Sequence, residues 1–205
     1  FKEVVIILDF FATSLINFSG YKKLNGSQLV KENITYIINL LKQKIDEFEN
    51  KKNILHIFNS KYLLDGKKIE NLPIGLFGNL YSHELSFFLI NKNDFNNLKN
   101  IFNKCNLKVK KIIFKGFLEG VNLINNNNVD TFFRIEINKQ NSKILFFENS
   151  ALKFYQEFIF GSDLISKDIS KITGLKIQSV KEILFNLKFS ENLYKDELLE
   201  KVFFK

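Results

Sequence analysis

Residues 53–90, NILHIFNSKYLLDGKKIENLPIGLFGNLYSHELSFFLI, carry the one proline of the chain, Pro73, both histidines, His56 and His83, and the glycines Gly66, Gly75 and Gly78. The opening run 54–58 is apolar except for His56, the pattern of a strand buried on both faces rather than of an amphipathic helix. Leu63 and Leu64 lead into Asp65-Gly66, a pair that tolerates positive φ and commonly closes a tight turn. From Ile69 to Gly78, Pro73 fixes its own φ and pushes Leu72 to extended geometry, while Gly75 and Gly78 permit sharp changes of direction, so a shaped loop is predicted. Residues 84–90 then read as a strand with one wet end and one buried end.

Outward from this stretch, strands and helices alternate without a regular repeat. EVVIIL at 3–8 reads as a buried strand, and 10–25 as a strand or hairpin ending in the turn Asn25-Gly26-Ser27. Ile34, Ile37, Ile38, Leu41, Ile45 and Phe48 share one helical face, which should pack across a three-stranded sheet in a compact insert of residues 11–91. Asn93 or Asp94 can cap a helix with Phe95, Leu98, Ile101, Phe102 and Cys105 on one face, making Cys105 a core residue. A strand at 107–114 and a short helix at 117–124 follow, then the polar run 125–128, read as a solvated connection and domain boundary. Strands at 131–137, 143–148 and 152–160 precede helices at 162–172, where Asp163 can cap, and at 178–187; residues 193–205 read as helical. The class predicted is α/β with mixed sheets.

Composition narrows the function classes. The chain has 205 residues, enough for one or two domains, and a formal charge of +8. It begins at Phe1 and contains no methionine, so it reads as an excised fragment. Lysine, asparagine, isoleucine and phenylalanine, all with AT-rich codons, are abundant, and base composition accounts for the charge. The lysines are scattered and Arg134 is the sole arginine, which argues against nucleic acid as a partner. Cys105 is alone, excluding an internal disulfide and a cysteine metal cluster. No apolar run approaches the roughly 20 residues that cross a bilayer, and a cytosolic location is expected. Neither histidine has carboxylate or cysteine neighbours at a metal-ligand or triad spacing; His56 reads as a core histidine and His83 as exposed near a loop. Asp65 reads as a turn residue and Glu119 as a solvated side chain.

The series LHIF..KYLLDG..I.NLPIG..G, then CNLKVKKII at 105–113 and Phe160-Gly161 through Asp168-Ile169, resembles in order and spacing the bacterial cell-division protein family FtsA. One departure is Leu72, inserted between Asn71 and Pro73. The resemblance implies a fragment of an actin-like (ribonuclease H-like) α/β fold carrying an FtsA-type 1C insert. Residues 1–10 would end the first 1A piece, 11–91 form the 1C insert, 92–128 the second 1A piece and 129–205 the start of 2A. It also implies a scaffold at the cytoplasmic face of the membrane, at the division site, rather than an enzyme. Its partners would be further copies of itself, FtsZ through a part this sequence lacks, and downstream division proteins through the 1C insert. Membrane attachment would come only from a missing C-terminal helix. Two alternatives share the fold: a nucleotide-hydrolysing member of the actin, chaperone and sugar-kinase superfamily, and a pilus-assembly scaffold. The loop at 71–78 favours FtsA.

In that family a glycine-rich hairpin, roughly Asp-Ile-Gly-Gly-Gly-Thr-Thr-Asp, approaches nucleotide phosphates with its backbone amides. The corresponding residues here are Glu136, Ile137, Asn138, Lys139, Gln140, Asn141, Ser142 and Lys143, with every glycine replaced and the terminal acid now lysine. Asn138 and Asn141 can adopt positive φ, so a turn is expected to survive where close phosphate approach does not. Lys139 or Lys143 would supply compensating charge, and Gly161 keeps one glycine of a later family pair whose other member is replaced by Ser162. Glu136, Asn138, Lys139, Gln140, Asn141, Ser142 and Gly161 are thus the candidate nucleotide positions. No cofactor is expected in this fragment; the resemblance leaves ATP and Mg open for the full-length protein, since the family's other phosphate loop lies upstream.

Overall fold

A computed structural model describes residues 2–9 and 13–186. The helix expected at 193–205 and the segment 10–12 lie outside the described residues. The first strand, β1 (Glu3–Leu8), comes first in a series continued by β2 (Thr13–Lys23), α1 (Lys31–Phe48), β3 (Lys52–Leu64), β4 (Lys67–Ile69) and β5 (Leu80–Asn91). Then come α2 (Lys92–Lys104), β6 (Lys108–Phe114), α3 (Lys115–Asn127), β7 (Phe132–Ile137), β8 (Ser142–Glu148), β9 (Ala151–Phe158), α4 (Ser162–Thr173) and α5 (Ile177–Asn186). Two compact units divide the chain: Phe1–Arg134 with Leu145–Gln156, and Ile135–Ile144 with Glu157–Lys205.

In the first unit, β2, β5, β3 and β4 form an antiparallel sheet in that order, one strand more than expected. β5 is central and its run from Leu85 to Ile90 is wholly buried because both faces are covered. Leu85, Phe87 and Leu89 meet Ile34, Ile37, Leu41 and Ile45 of α1, which packs on the sheet as its apolar stripe requires. Alternate residues point the other way: Phe88 joins Phe58, Phe114, Leu145 and Phe147, while Ile90 joins Ile6, Leu8 and Ile112. β1 and β6 make a separate two-stranded parallel sheet beside α2.

The loop after β4 is tied down along its length. Gly75 N–H donates to the Leu29 carbonyl at 2.9 Å, Leu29 N–H donates to that of Leu76 at 2.8 Å, and the Gln28 amide donates to the Gly75 carbonyl at 2.7 Å. β3 is longer than the expected 54–58 and only partly buried over most of its length, with register shifts between Ile54 and His56 and between Asn59 and Lys61. Asn91, rather than Asn93 or Asp94, caps α2, its side chain accepting the Asn93 N–H at 3.0 Å. Cys105 is exposed, not core, because α2 stops at Lys104 and the chain turns there, Asn106 taking φ 56°. Residues 125–127 continue α3 instead of forming a connection, and Asn128 ends it at φ 57°. Gly120, inside α3, has a packing reason: a Cβ there would enter the ring of Phe147. β7, β8 and β9 form the third sheet in sequence order, β8 and β9 joined by Asn149-Ser150 with φ 50° and 63°.

Candidate functional site

The candidate nucleotide positions gather in the second unit, at the β7–β8 turn and the start of α4. The connection 138–141 has four residues, enough to reverse the chain without left-handed geometry, and neither Asn138 nor Asn141 adopts positive φ. Asn138 N–H donates to the Asn141 carbonyl at 2.9 Å, and the two side chains bond at 3.2 Å. The Asn141 amide also donates to the Glu157 carboxylate. Ser142 is buried, its hydroxyl donating to the Phe160 carbonyl at 2.6 Å. Lys139 and Gln140 are exposed at the tip, Glu136 is half-buried in β7, and Lys143 is buried at 4% exposure.

The N-terminus of α4 closes onto this turn. Gly161 occupies the cap position without a side-chain cap, and Ser162 and Asp163 donate their N–H groups to the carbonyls of Asn138 and Lys139 at 2.9 and 3.0 Å. A Cβ on Gly161 would overlap those same carbonyl oxygens, so the close approach requires glycine. Asp163 does not cap with its side chain; it meets Lys181 of α5 at 2.7 Å, and that hydrogen bond holds its carboxyl below the usual carboxylate range.

Sequence reasoning found the turn but not the partners. Glu157 and the first amides of α4 left no local signal, because acceptors supplied by backbone carbonyls can belong to any residue type. Each of residues 138–143 carries a Cβ, a carboxylate borders the turn, and α4 amides of the kind that bind anions at helix ends are given to the hairpin's own carbonyls.

Both histidines are structural. His56 Nε2 accepts the Phe114 N–H at 3.0 Å, and its ring lies among Phe58, Phe88 and Phe117. His83 is buried at 1% exposure rather than exposed, bonded through Nε2 to Asn59 Oδ1 at 3.1 Å and set between Tyr62 and Tyr81. Desolvation pushes each imidazole down to about 4. Asp65 is a turn residue whose carboxylate accepts the N–H groups of Asn79 and Leu80, both at 2.8 Å. Glu119 is not merely solvated: it pairs with Arg134, which is 18% exposed, and with Lys115 at 3.8 Å.

A cleft of about 840 Å³ runs along β3, lined among others by Ser60, Lys61, Lys68, Glu70 and Asp130, a mixture of charges that favours neither sign of ligand. Beside it the Lys153 ammonium donates to the Ser60 carbonyl, and burial lowers its pKa. Among the described residues no group of three or more His, Cys, Asp or Glu side chains could hold a metal ion, and no helix is long and apolar enough to cross a membrane.

The fold is mixed α/β and actin-like. It superposes on a chain of the PilM-PilN type IV pilus biogenesis complex with a TM-score of 0.52, at 9% identity, over 90% of this chain and 51% of that one. In sequence the chain resembles the cell division protein FtsA. It is 22% identical over 203 residues to FtsA of Buchnera aphidicola subsp. Acyrthosiphon pisum (strain APS), covering 88% of this chain and 48% of that protein. It is likewise 22% identical over 152 residues to FtsA of Buchnera aphidicola subsp. Schizaphis graminum (strain Sg), covering 74% and 36%. No protein-family model matches, and the chain spans about half the length or less of the curated relatives it resembles.

Proposed function

We propose that this chain is part of an actin-like cell-division scaffold that works by binding other proteins rather than by hydrolysing ATP. The carrying observation is the hydrogen bonding of the Ser162 and Asp163 amides to the Asn138 and Lys139 carbonyls. A helix N-terminus that serves anions leaves its amides open. Here those amides brace the hairpin, so the position that grips phosphate in glycine-rich relatives acts as a structural joint.

On this reading residues 11–91 are the 1C-type insert, between 1A pieces at 1–10 and 92–128, with 2A beginning at 129. The whole protein would self-associate, link FtsZ filaments to the inner face of the membrane, and present the insert to later division proteins. Titration calorimetry with Mg-ATP at high protein concentration is expected to give no saturable heat. A saturable heat that disappears in Asn138→Ala or Lys139→Ala would overturn the nucleotide-independent reading.

A further inference from the structure

The sheet β2-β5-β3-β4 ends differently on its two sides. On one side β4, three residues of which two are lysines, covers only Tyr62–Leu64, and the rest of that side is β3 itself, an edge made irregular by register shifts between Ile54 and His56 and between Asn59 and Lys61, features that resist further pairing. β2 closes the other with eleven residues, Thr13–Lys23, paired with β5 at every position without a register shift and containing no proline. Its charges are confined to Lys22 and Lys23 at one end. An antiparallel edge of this kind turns about half of its backbone N–H and C=O groups away from its neighbour.

Aromatic side chains gather beside it. Tyr21 is 65% exposed, Tyr36 is 51% exposed with the Lys22 ammonium 4.5 Å from its ring centroid, and Phe48, 72% exposed, stacks on Phe18 with centroids 6.4 Å apart. Long, regular and flanked by exposed aromatics, β2 lacks over Thr13–Tyr21 the charges, proline and bulges that protect an edge.

We propose that β2 is the docking edge for a second copy of this chain, the two β2 strands pairing antiparallel about a two-fold axis at Phe18. Full overlap sets Lys23 opposite the second copy's Thr13, Lys22 opposite its Ser14, Asn17 opposite its Ser19 and Phe18 opposite itself. No lysine faces a lysine, whereas parallel in-register pairing would set Lys22 and Lys23 against their own copies. A two-fold interface needs one self-complementary patch, and this strand is one. Phe18 lies on the α1 side of the sheet, so the same axis brings the two Phe18–Phe48 stacks together.

The inference gives the self-association proposed above a particular surface and to that extent rests on that reading. Sedimentation velocity over rising concentration is expected to show the 24.1 kDa chain going over to a species of twice that mass. Asn17 and Ser19 are exposed, and Ser19 is paired with Glu84 on β5, which tolerates a lysine beside it. In N17K/S19K each new lysine faces the second copy's new lysine, and dimerisation should weaken at least tenfold. In N17E/S19K each glutamate faces a lysine, and the dimer should persist or tighten; circular dichroism checks that both variants fold. A chain that stays monomeric at all concentrations overturns the proposal. Self-association that weakens equally in both variants, as it would if β2 captured an unrelated strand, also overturns it. Self-association unchanged in both removes this interface while leaving the scaffold reading standing.

Discussion

The β3–β4 turn and the β7–β8 turn both bring a carbonyl or carboxylate oxygen to backbone N–H groups, yet they do so by opposite means. In the first, Asp65 and Gly66 take φ 49° and 79°, and the Asp65 carboxylate accepts the amides of Asn79 and Leu80. In the second, no residue of 138–141 is left-handed, and main-chain carbonyls accept the first amides of α4. One turn supplies its own anion and the other its own backbone, so at both places these donors are engaged by the chain itself. The lesson concerns specificity: a side-chain acceptor ties the first turn to its sequence, whereas the second depends on how closely two segments approach.

The largest effect should come from Gly161→Ala. A Cβ there collides with backbone that cannot swing aside, and the second unit should lose about 3 kcal/mol. The matched change Gly66→Ala meets nothing within 4 Å and costs only the left-handed geometry, about 1–2 kcal/mol. Urea unfolding of the two variants ranks them; equal losses would erase the distinction between the turns.

Acid should separate the two units next. Burial holds His56 and His83 at about 4, below the ordinary 6.5, so between those values the unfolded chain binds more protons than the folded one. Their stabilisation is complete above about pH 6.5 and falls as pH approaches 4, by up to about 3 kcal/mol for His83 and less for the partly exposed His56. Both lie in the first unit. The lowered Asp163 belongs to the second, and its contribution is present above the ordinary carboxylate range and lost only as pH falls below it. Hydrogen exchange at pH 7 and pH 5 should therefore show protection lost around β3 and β5 and kept around α4.

Asp65→Ala removes the acceptor of two amides and leaves alanine at positive φ, a loss of about 2 kcal/mol. Asn138→Ala should cost least, about 1 kcal/mol, because it deletes one exposed side-chain bond and leaves the carbonyl that receives Ser162 N–H. If Asn138→Ala proved costlier than Asp65→Ala, the β7–β8 turn would be held by its side chains after all.

Much of this architecture could be read from residues in order. The stripe Ile34 to Ile45 announces α1, Asp65-Gly66 announces its turn, and the apolar run ending at Ile90 announces a buried strand. These features repeat within a few residues, so helix and strand periodicity carries them. The candidate site was legible as a polar turn between two strands, but its partners were not. Glu157 lies sixteen residues from Asn141, and Gly161 reaches the hairpin through backbone atoms that every residue possesses.

Sequence alone thus determined most of the order of elements, the amphipathic face of α1 and the chemistry of the first turn, though not the short strand β4. Tertiary structure alone decided that His83 is enclosed by Tyr62 and Tyr81, that Cys105 faces solvent and that Glu119 pairs with Arg134. It also decided that α4 spends its first amides on the hairpin. Periodicity records which face of an element is apolar, but burial and hydrogen-bond partnership depend on which distant segment arrives at that face.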